Sequence, residues 1–296
     1  MSIALAATDR TDTAADLLAT ATAALRAAGV GTARLDAEVL LAAAYGVDRA
    51  ALYLRLQAPL AEQARAAFDA LLQRRLAREP LQYIVGRQEF WSLEFVVTPD
   101  VLIPRPETEL LVEMAVDLCR SDRGSSGSAA PSLCDLGTGS GCIAVALASE
   151  LPGAAITAAD ISTAALAVAR TNAQRHGVAA RISFVESNLF ASLGGRQFDV
   201  IVCNPPYVAT AALAELAPEL AWEPRTALEG GADGYAMIVR ILRVAPEHLR
   251  AGGWVLMEIG AEQGAVAAEL ARAAGFTEVT IRYDYAGLPR VLRARR

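Results

Sequence analysis

A short polar segment with two prolines follows a strongly apolar run in the second half of the chain. The run Val200 to Cys203 is typical of a buried strand in a parallel sheet, and Asn204-Pro205-Pro206-Tyr207 comes directly after it. Proline has a fixed φ and no N–H, and the residue before a proline is restricted to extended backbone. The segment is therefore stiff and rich in acceptors, chiefly the Asn204 side-chain oxygen and backbone carbonyls. It suits a planar –NH2 group, whose two hydrogens need acceptors and whose face needs a ring such as Tyr207.

A glycine-rich segment, Gly137-Thr138-Gly139-Ser140-Gly141, follows an earlier apolar run that ends at Asp135-Leu136. Glycines allow a ligand to approach the backbone closely, and a helix N-terminus is predicted directly afterwards. The Gly-Lys-Ser/Thr of a phosphate-binding loop is missing, and the third glycine is one residue early for the dinucleotide fingerprint. By itself the pattern indicates either a cofactor site or a tight strand-to-helix turn.

An acid ends the next predicted strand, about 20 residues further on, where a carboxylate can accept from both hydroxyls of a ribose. This residue is Asp160, which could instead act as a turn acid or a helix cap, although Ser162 is also available as the cap. Asn188-Leu189-Phe190 follows the third strand and is expected to cover an adenine ring at the same edge. The glycine segment and Asp160 together predict an adenosine-bearing cofactor at the carboxyl ends of the strands.

Alternating strand and helix patterns after residue 132 predict a doubly wound α/β sheet that positions these segments. The predicted strands are Leu133–Leu136, Ala155–Asp160, Arg181–Val185, Phe198–Cys203, Gly253–Ile259, Thr277–Tyr283 and Val291–Ala294. The predicted helices are Cys142–Glu150, Thr163–His176, Gly234–Leu249 and Ala261–Ala274. The last two strands should be antiparallel, because the link between them is too short for a parallel crossover.

Three regions are predicted along the chain. Residues 1–80 read as a small helical domain, in which no catalytic constellation is found and for which a docking function is expected. Its predicted helices are Asp12–Ala28, Arg34–Tyr45, Asp48–Leu56 and Leu60–Arg78, after a loose segment at 1–10. Residues 81–103 should form a β-hairpin linker with strands at Tyr83–Gly86 and Phe90–Val97. Residues 104–296 should form the catalytic domain, with a first helix from Pro106 to Cys119 and a surface loop at 121–132.

Composition excludes several classes of protein. The 296 residues are 54% apolar and 20% charged, with a net charge of −6, which argues against general binding of a nucleic-acid backbone. The four cysteines form no C-x-x-C pair and are expected to be free thiols in a reducing compartment. The two histidines are expected at exposed helix ends, so no metal site is predicted. The sequence predicts neither a signal peptide nor a membrane span, and hence a cytoplasmic protein.

Three further motifs point to one family. Gly86-Arg87-Gln88-Glu89-Phe90-Trp91, Leu102-Ile103-Pro104-Arg105-Pro106-Glu107-Thr108-Glu109 and Glu223-Pro224-Arg225-Thr226-Ala227-Leu228 closely resemble the peptide chain release factor glutamine methyltransferases, the PrmC/HemK family. The order of helical domain, hairpin and catalytic domain is similar as well. The α/β part resembles a class I S-adenosylmethionine-dependent methyltransferase, a seven-stranded Rossmann-like sheet with a reversed C-terminal hairpin. The Asn204 to Tyr207 motif is shared by enzymes that methylate planar nitrogens.

The resemblance implies S-adenosylmethionine as cofactor, bound by Gly137 to Gly141, Asp160, Asn188, Leu189 and Asn204. It implies that Asn204, Pro205, Pro206 and Tyr207 bind the glutamine of the release factor Gly-Gly-Gln motif. Asn204, Pro205 and Tyr207 would be the catalytic residues. Family members usually have an acid at the position of Asn188, whose amide oxygen can still accept from the adenine amine. Arg105, Glu107 and Glu223 are either part of the substrate mouth or plain surface charges.

Two alternatives remain open from the residues alone. The first is an amino-methyltransferase that acts on DNA or RNA, because adenine also offers a planar –NH2 group. The second is a cofactor-binding scaffold without activity, which the complete Asn204 to Tyr207 motif argues against. A monomer that binds neither membranes nor nucleic acid directly is expected.

Overall fold

The computed structural model describes residues 13–122 and 130–296. The chain divides into two compact units with the boundary between Val85 and Gly86, so that the hairpin belongs to the second unit. The predicted loose segment at 1–10 and most of the predicted loop at 121–132 lie outside the described residues.

The first unit is helical, as the sequence predicts. Its helices are α1 (Ala14–Ala27), α2 (Ala33–Tyr45), α3 (Arg49–Tyr53), α4 (Glu62–Leu76) and α5 (Leu81–Val85). Thr13 and Asp16 form a capping box at the start of α1, and Gly46 ends α2 in the left-handed conformation with φ +66°. A buried ion pair joins α4 to α2, with Arg75 Nε 2.7 Å from Asp36 Oδ2.

The predicted strand at Tyr83–Gly86 is wrong, because these residues end a short helix. The N–H groups of Tyr83 and Ile84 both donate to the Pro80 carbonyl at 3.1 Å, which closes the first turn of α5. Pro80 cannot donate but can accept at a helix start, and this local pairing outweighs the β propensity of Tyr83 to Val85.

The hairpin itself is present, but its strands are β1 (Arg87–Phe90) and β2 (Leu93–Val96), paired antiparallel. The predicted continuous strand from Phe90 to Val97 is interrupted by a two-residue turn at Trp91 and Ser92, whose φ angles are +54° and +55°. The Trp91 N–H donates to the Glu109 carboxylate at 2.7 Å, which stabilises this uncommon turn sequence. A tertiary contact therefore stabilises the turn of the hairpin.

The second unit contains a seven-stranded sheet flanked by helices, which confirms the predicted doubly wound fold. Its strands are β3 (Ser132–Leu136), β4 (Ala155–Asp160), β5 (Ile182–Glu186), β6 (Phe198–Cys203), β7 (Leu249–Glu258), β8 (Thr277–Tyr283) and β9 (Pro289–Arg295). The helices are α6 (Glu109–Asp122), α7 (Cys142–Glu150), α8 (Thr163–Arg175), α9 (Ala236–His248) and α10 (Gly264–Ala273). The strand order is β5-β4-β3-β6-β7-β9-β8. The last two strands, β8 and β9, are antiparallel as predicted, and β9 is antiparallel to β7 as well.

Strand β6 contributes to the core on both faces of the sheet. Val200 and Val202 belong to the cluster that contains α6 and α7, whereas Ile201 and Cys203 belong to the cluster that contains α9 and α10. This alternation places β6 in the centre of the sheet beside β3, as the continuous apolar run predicts. The polar segment after Cys203 therefore emerges beside the glycine segment after Leu136.

The cysteines and His248 are buried in the second unit. The four cysteines are all buried and free. The expectation that His248 is exposed is wrong: the residue is 8% exposed and its ring stacks on Phe190, with centroids 4.7 Å apart. Its Nδ1 also pairs with the Arg196 carbonyl, so the buried ring has a polar partner. Among the described helices, none is long and apolar enough to cross a membrane.

Candidate active site

A cavity of about 510 Å³ opens at the carboxyl ends of β3, β4 and β6. Most of the residues predicted for the site contribute to its wall. They are Gly137, Thr138, Gly139, Ser140, Asp160, Asn188, Leu189, Asn204, Pro205 and Pro206. Of the predicted site residues, Gly141 and Tyr207 are not part of the wall.

The glycine segment combines two different uses of glycine. Gly137 and Gly139 have φ angles of +71° and +55°, and no described atom lies within 4 Å of the position that a Cβ would take. Gly141, with φ +80°, packs against α8, where a Cβ would lie 2.9 Å from Ala169 Cβ. The first two glycines therefore leave space along the cavity wall, whereas Gly141 permits close helix packing.

Asp160 holds the turn backbone with both carboxylate oxygens. Its Oδ2 accepts from the Gly139 N–H and its Oδ1 accepts from the Ser162 N–H, each at 2.9 Å. The cap of α8 is Ser162, whose Oγ accepts from the Ala165 N–H at 3.1 Å. Each carboxylate oxygen keeps a further lone pair for a ligand hydroxyl. Asp160 is thus fixed in orientation and still able to accept from the cavity.

The segment after β5 has a strained residue at the cavity wall. Leu189 has φ +54°, which is uncommon for a residue with a branched side chain. The Ser187 hydroxyl stabilises this turn, because it donates to the Leu189 carbonyl at 2.6 Å and accepts from the Ser192 N–H at 2.9 Å. The oxygen of Asn188, which was expected to meet an adenine amine, already accepts from Arg240 Nη2 at 3.0 Å.

Asn204 is joined to two residues that sequence reasoning missed. Its Nδ2 donates to Thr108 Oγ1 at 3.1 Å, and the Thr108 hydroxyl donates to Glu258 Oε2 at 2.6 Å. Burial raises the pKa of Glu258 to about 6, against the opposing effects of the Thr108 hydroxyl and Arg290. One available signal was the single acid, Glu258, inside the otherwise apolar run Trp254 to Ile259. Nothing in the sequence pairs that acid with Thr108, 150 residues away.

Tyr207 points to the same carboxylate rather than to the cavity. Its hydroxyl donates to Glu258 Oε1 at 3.3 Å. Burial, followed by the nearby charge of Glu258, raises the pKa of Tyr207 to about 12, so the phenol is neutral at physiological pH. The stacking of this ring on a substrate amide stays a prediction.

Asp135 holds the glycine segment in place by hydrogen bonds. Its Oδ2 accepts from the Thr138 hydroxyl at 2.6 Å and from the Ala144 N–H at 3.2 Å, whereas Oδ1 has no hydrogen-bond partner among the described residues. Complete burial raises the pKa of Asp135 to about 7. This carboxyl therefore holds the loop after β3 to the first turn of α7.

A partly buried ion pair joins two segments at the cavity rim. Glu223 Oε1 lies 2.5 Å from Arg105 Nη2, and Glu223 Oε2 accepts from the Ile103 N–H at 3.1 Å. Arg105 lines the cavity, whereas Glu107 is exposed outside it. Glu223 is therefore a structural tie and not a plain surface charge.

Three features define a Rossmann-like methyltransferase fold: the strand order with one reversed strand, the glycine segment after β3 (the glycine cradle, Gly137 to Gly141) and the polar segment after β6 (the tip of β6, Asn204 to Tyr207). A methyltransferase from Pyrococcus furiosus has a similar fold, with a TM-score of 0.50 and 18% identity over 77% of this chain and 96% of that chain. Residues 124–239 match the methyltransferase small domain, and residues 16–86 match the PrmC N-terminal domain.

Two curated relatives carry the same name, release factor glutamine methyltransferase. The relative from Geobacter sulfurreducens is 46% identical over 90% of this chain and 91% of its own length. The relative from Cereibacter sphaeroides is 46% identical over 95% of this chain and 98% of its own length. The chain belongs to the release factor glutamine methyltransferase family.

Proposed function

We propose that this protein transfers a methyl group from S-adenosylmethionine to the side-chain amide nitrogen of the glutamine in the Gly-Gly-Gln motif of release factors. The observation that carries the proposal is the shared cavity. In a chain of this family, the acceptor-rich tip at Asn204 to Pro206 and the glycine cradle at Gly137 to Ser140 line the same space. Methyl donor and methyl acceptor would thus meet between two neighbouring strands.

The residues of the cradle fit the proposed cofactor. The cavity volume of about 510 Å³ suits a ligand of nucleoside size. Gly137 and Gly139 leave room along the wall, and Asp160 retains acceptor capacity for ribose hydroxyls. Asn188 and Leu189 are proposed to flank the adenine. When bound, S-adenosylmethionine supplies an electrophilic methyl group on a sulfonium sulfur.

The tip of β6 is proposed to orient a weak nucleophile. The lone pair of an amide nitrogen is delocalised into its carbonyl, so the nitrogen must be held with that lone pair directed at the methyl group. The Asn204 side-chain oxygen and the Pro205 carbonyl would accept the two N–H groups, while Pro206 keeps the backbone rigid. Such orientation can lower a barrier by roughly 7–11 kcal/mol in favourable cases. The proton of the product leaves to water after the transfer.

The helical first unit would dock the release factor, since no candidate catalytic cluster was predicted there. The protein is proposed to act as a monomer in the cytoplasm, where translation termination takes place. Neither membranes nor nucleic acids are proposed as partners.

A transfer assay with labelled S-adenosylmethionine tests the proposal. Purified release factor, duplex DNA and RNA are offered separately as methyl acceptors. Label in the release factor alone supports the proposal. Label in DNA or RNA would favour an amino-methyltransferase of nucleic acids, and label in none would favour a scaffold without activity.

A further inference from the structure

The Thr108 side chain lies between Asn204 and Glu258 and is 2% exposed. A hydroxyl has one hydrogen to donate and two lone pairs with which to accept. The short contact of 2.6 Å to Glu258 Oε2 uses that hydrogen, because an ionised carboxylate can only accept. Toward Asn204, the Thr108 oxygen is therefore limited to accepting.

This limit fixes the orientation of the Asn204 amide. The group at 3.1 Å from Thr108 Oγ1 must be the donor, Nδ2, and not the carbonyl oxygen. The oxygen and the nitrogen of the amide lie on opposite sides of its carbon, so Oδ1 is turned away from Thr108 when Nδ2 faces it. Asn204 also lines the cavity. A flipped amide would direct two N–H groups at the –NH2 group of a substrate, and two donors cannot pair.

We propose that Thr108 and Glu258 are positioning residues that hold the Asn204 side chain with its oxygen toward the methyl acceptor. The inference rests on the proposed function, because it concerns the residue that would hold the glutamine amide. Neither side chain would touch the reacting atoms: Thr108 acts through Asn204, and Glu258 acts through Thr108. The second oxygen of Glu258 binds Tyr207, so the same carboxylate also ties the end of the motif.

The protonation state of Glu258 supplies an independent readout. Its pKa of about 6 is raised by burial and by Glu107, and lowered by Thr108, Arg290 and Tyr207. Among the described residues, the buried thiols Cys142 and Cys203 also interact with Glu258, and they stay neutral because burial raises their own pKa values. Once protonated, Glu258 can donate to Thr108, which frees the Thr108 hydrogen to meet Asn204 Oδ1. The flipped amide then becomes accessible.

The test compares Thr108→Val with Thr108→Ser in the full-length protein. Valine keeps the shape but removes the hydroxyl, and serine restores it. We expect Thr108→Val to lower kcat with release factor by roughly 100-fold, the loss typical of a misplaced reacting group. The Kd for S-adenosylmethionine should stay within about 3-fold of wild type, and Thr108→Ser should recover most of the rate. Thr157→Val, at a buried threonine on β4 outside the site, is the matched control.

Glu258→Gln gives a second measurement that does not depend on Thr108 variants folding. A glutamine does not titrate and can donate to Thr108 as well as accept from it at every pH. We therefore expect a lowered kcat without the step near pH 6 that we expect of the wild type between about pH 5 and pH 8. A Thr108→Val protein with wild-type kcat, or a Glu258→Gln protein with the wild-type pH profile, would overturn the positioning role. A wild-type protein that methylates no release factor would instead overturn the proposed function on which this role rests.

Discussion

The side-chain amide of Asn172 donates a hydrogen bond to the backbone carbonyl of Ser140 at 2.8 Å. The same amide accepts from the Val96 N–H at 2.7 Å and donates to the Val96 carbonyl at 3.0 Å. Asn172 lies on α8 and is fully buried. One side chain thus joins the glycine segment to the β1–β2 hairpin, which the sequence places more than 40 residues before it.

Replacement of Asn172 by leucine should loosen the glycine segment. The change leaves two backbone groups of Val96 and the carbonyl of Ser140 without this partner, at a cost of about 1–3 kcal/mol for each group that stays buried. We expect a lower free energy of unfolding and weaker binding of S-adenosylmethionine, measured by denaturant titration and calorimetry. Gln174→Leu, at an exposed amide on the same helix, is the control. Equal stability of the two variants would contradict the role of Asn172.

Alanine substitutions at two glycines should have different effects on the affinity for S-adenosylmethionine and on the free energy of unfolding. At Gly139 an added Cβ meets no described atom, so Gly139→Ala costs about 1–2 kcal/mol for the left-handed backbone and intrudes on the proposed cofactor site. At Gly141 the Cβ also collides with Ala169, which adds roughly 1–3 kcal/mol. We expect Gly139→Ala to lose mainly cofactor affinity and Gly141→Ala to lose mainly stability. The reverse ranking in parallel unfolding and binding measurements would contradict this division.

The pKa of Asp135 predicts how stability depends on pH. The folded-state pKa of about 7 lies above the ordinary value of 3.8, so folding favours the protonated form. The contribution of Asp135 to the free energy of unfolding is fully present below the ordinary pKa of 3.8. It is lost progressively as the pH rises from 3.8 to the folded-state pKa of about 7. Asp135→Asn mimics the neutral form, and its stability relative to wild type should rise with pH up to about 7 and then level off. Denaturant unfolding across this range measures the difference, and a difference independent of pH would refute the prediction.

The buried ion pair in the first unit predicts a large loss of stability in that unit. Asp36→Ala removes the carboxylate at 2.7 Å from Arg75, and a broken buried pair typically costs about 3–5 kcal/mol. Asp69→Ala is the matched control, because its pair with Arg65 is partly exposed and such pairs contribute at most about 1 kcal/mol. We expect an early unfolding transition only for Asp36→Ala in a thermal scan. Indistinguishable scans of the two variants would contradict the account.

Most of the sheet could be predicted because its signals are local. The apolar run at Val200 to Cys203 and the proline-stiffened tip after it define both a central strand and its end. The short link before β9 predicts the antiparallel pair. The hairpin was predicted, but its strand bounds were wrong because a carboxylate on α6 stabilises a turn at Trp91 and Ser92 that no turn residue signals.

The sequence predicts the segments that line the cavity but not the residues that hold these segments in place. Glycine, proline and asparagine types identify the segments that line the cavity, because each type restricts the backbone in a known way. Thr108, Glu258 and Asn172 act through hydrogen bonds to residues distant in the chain, and only the fold brings them together. The resemblance predicts that the Tyr207 ring stacks on the substrate, which stays a prediction, whereas the hydrogen bond from its hydroxyl to Glu258 had no signal in the sequence.

Mass spectrometry of a release factor that has been incubated with this protein and S-adenosylmethionine tests the proposed methylation most directly. We expect one added methyl group on the glutamine of the Gly-Gly-Gln motif. We also expect no addition when that glutamine is replaced, and a loss of several orders of magnitude in rate with Asn204→Ala while cofactor binding is nearly retained. An unmodified glutamine after incubation with wild-type protein, or unchanged turnover by Asn204→Ala, would contradict the proposed function.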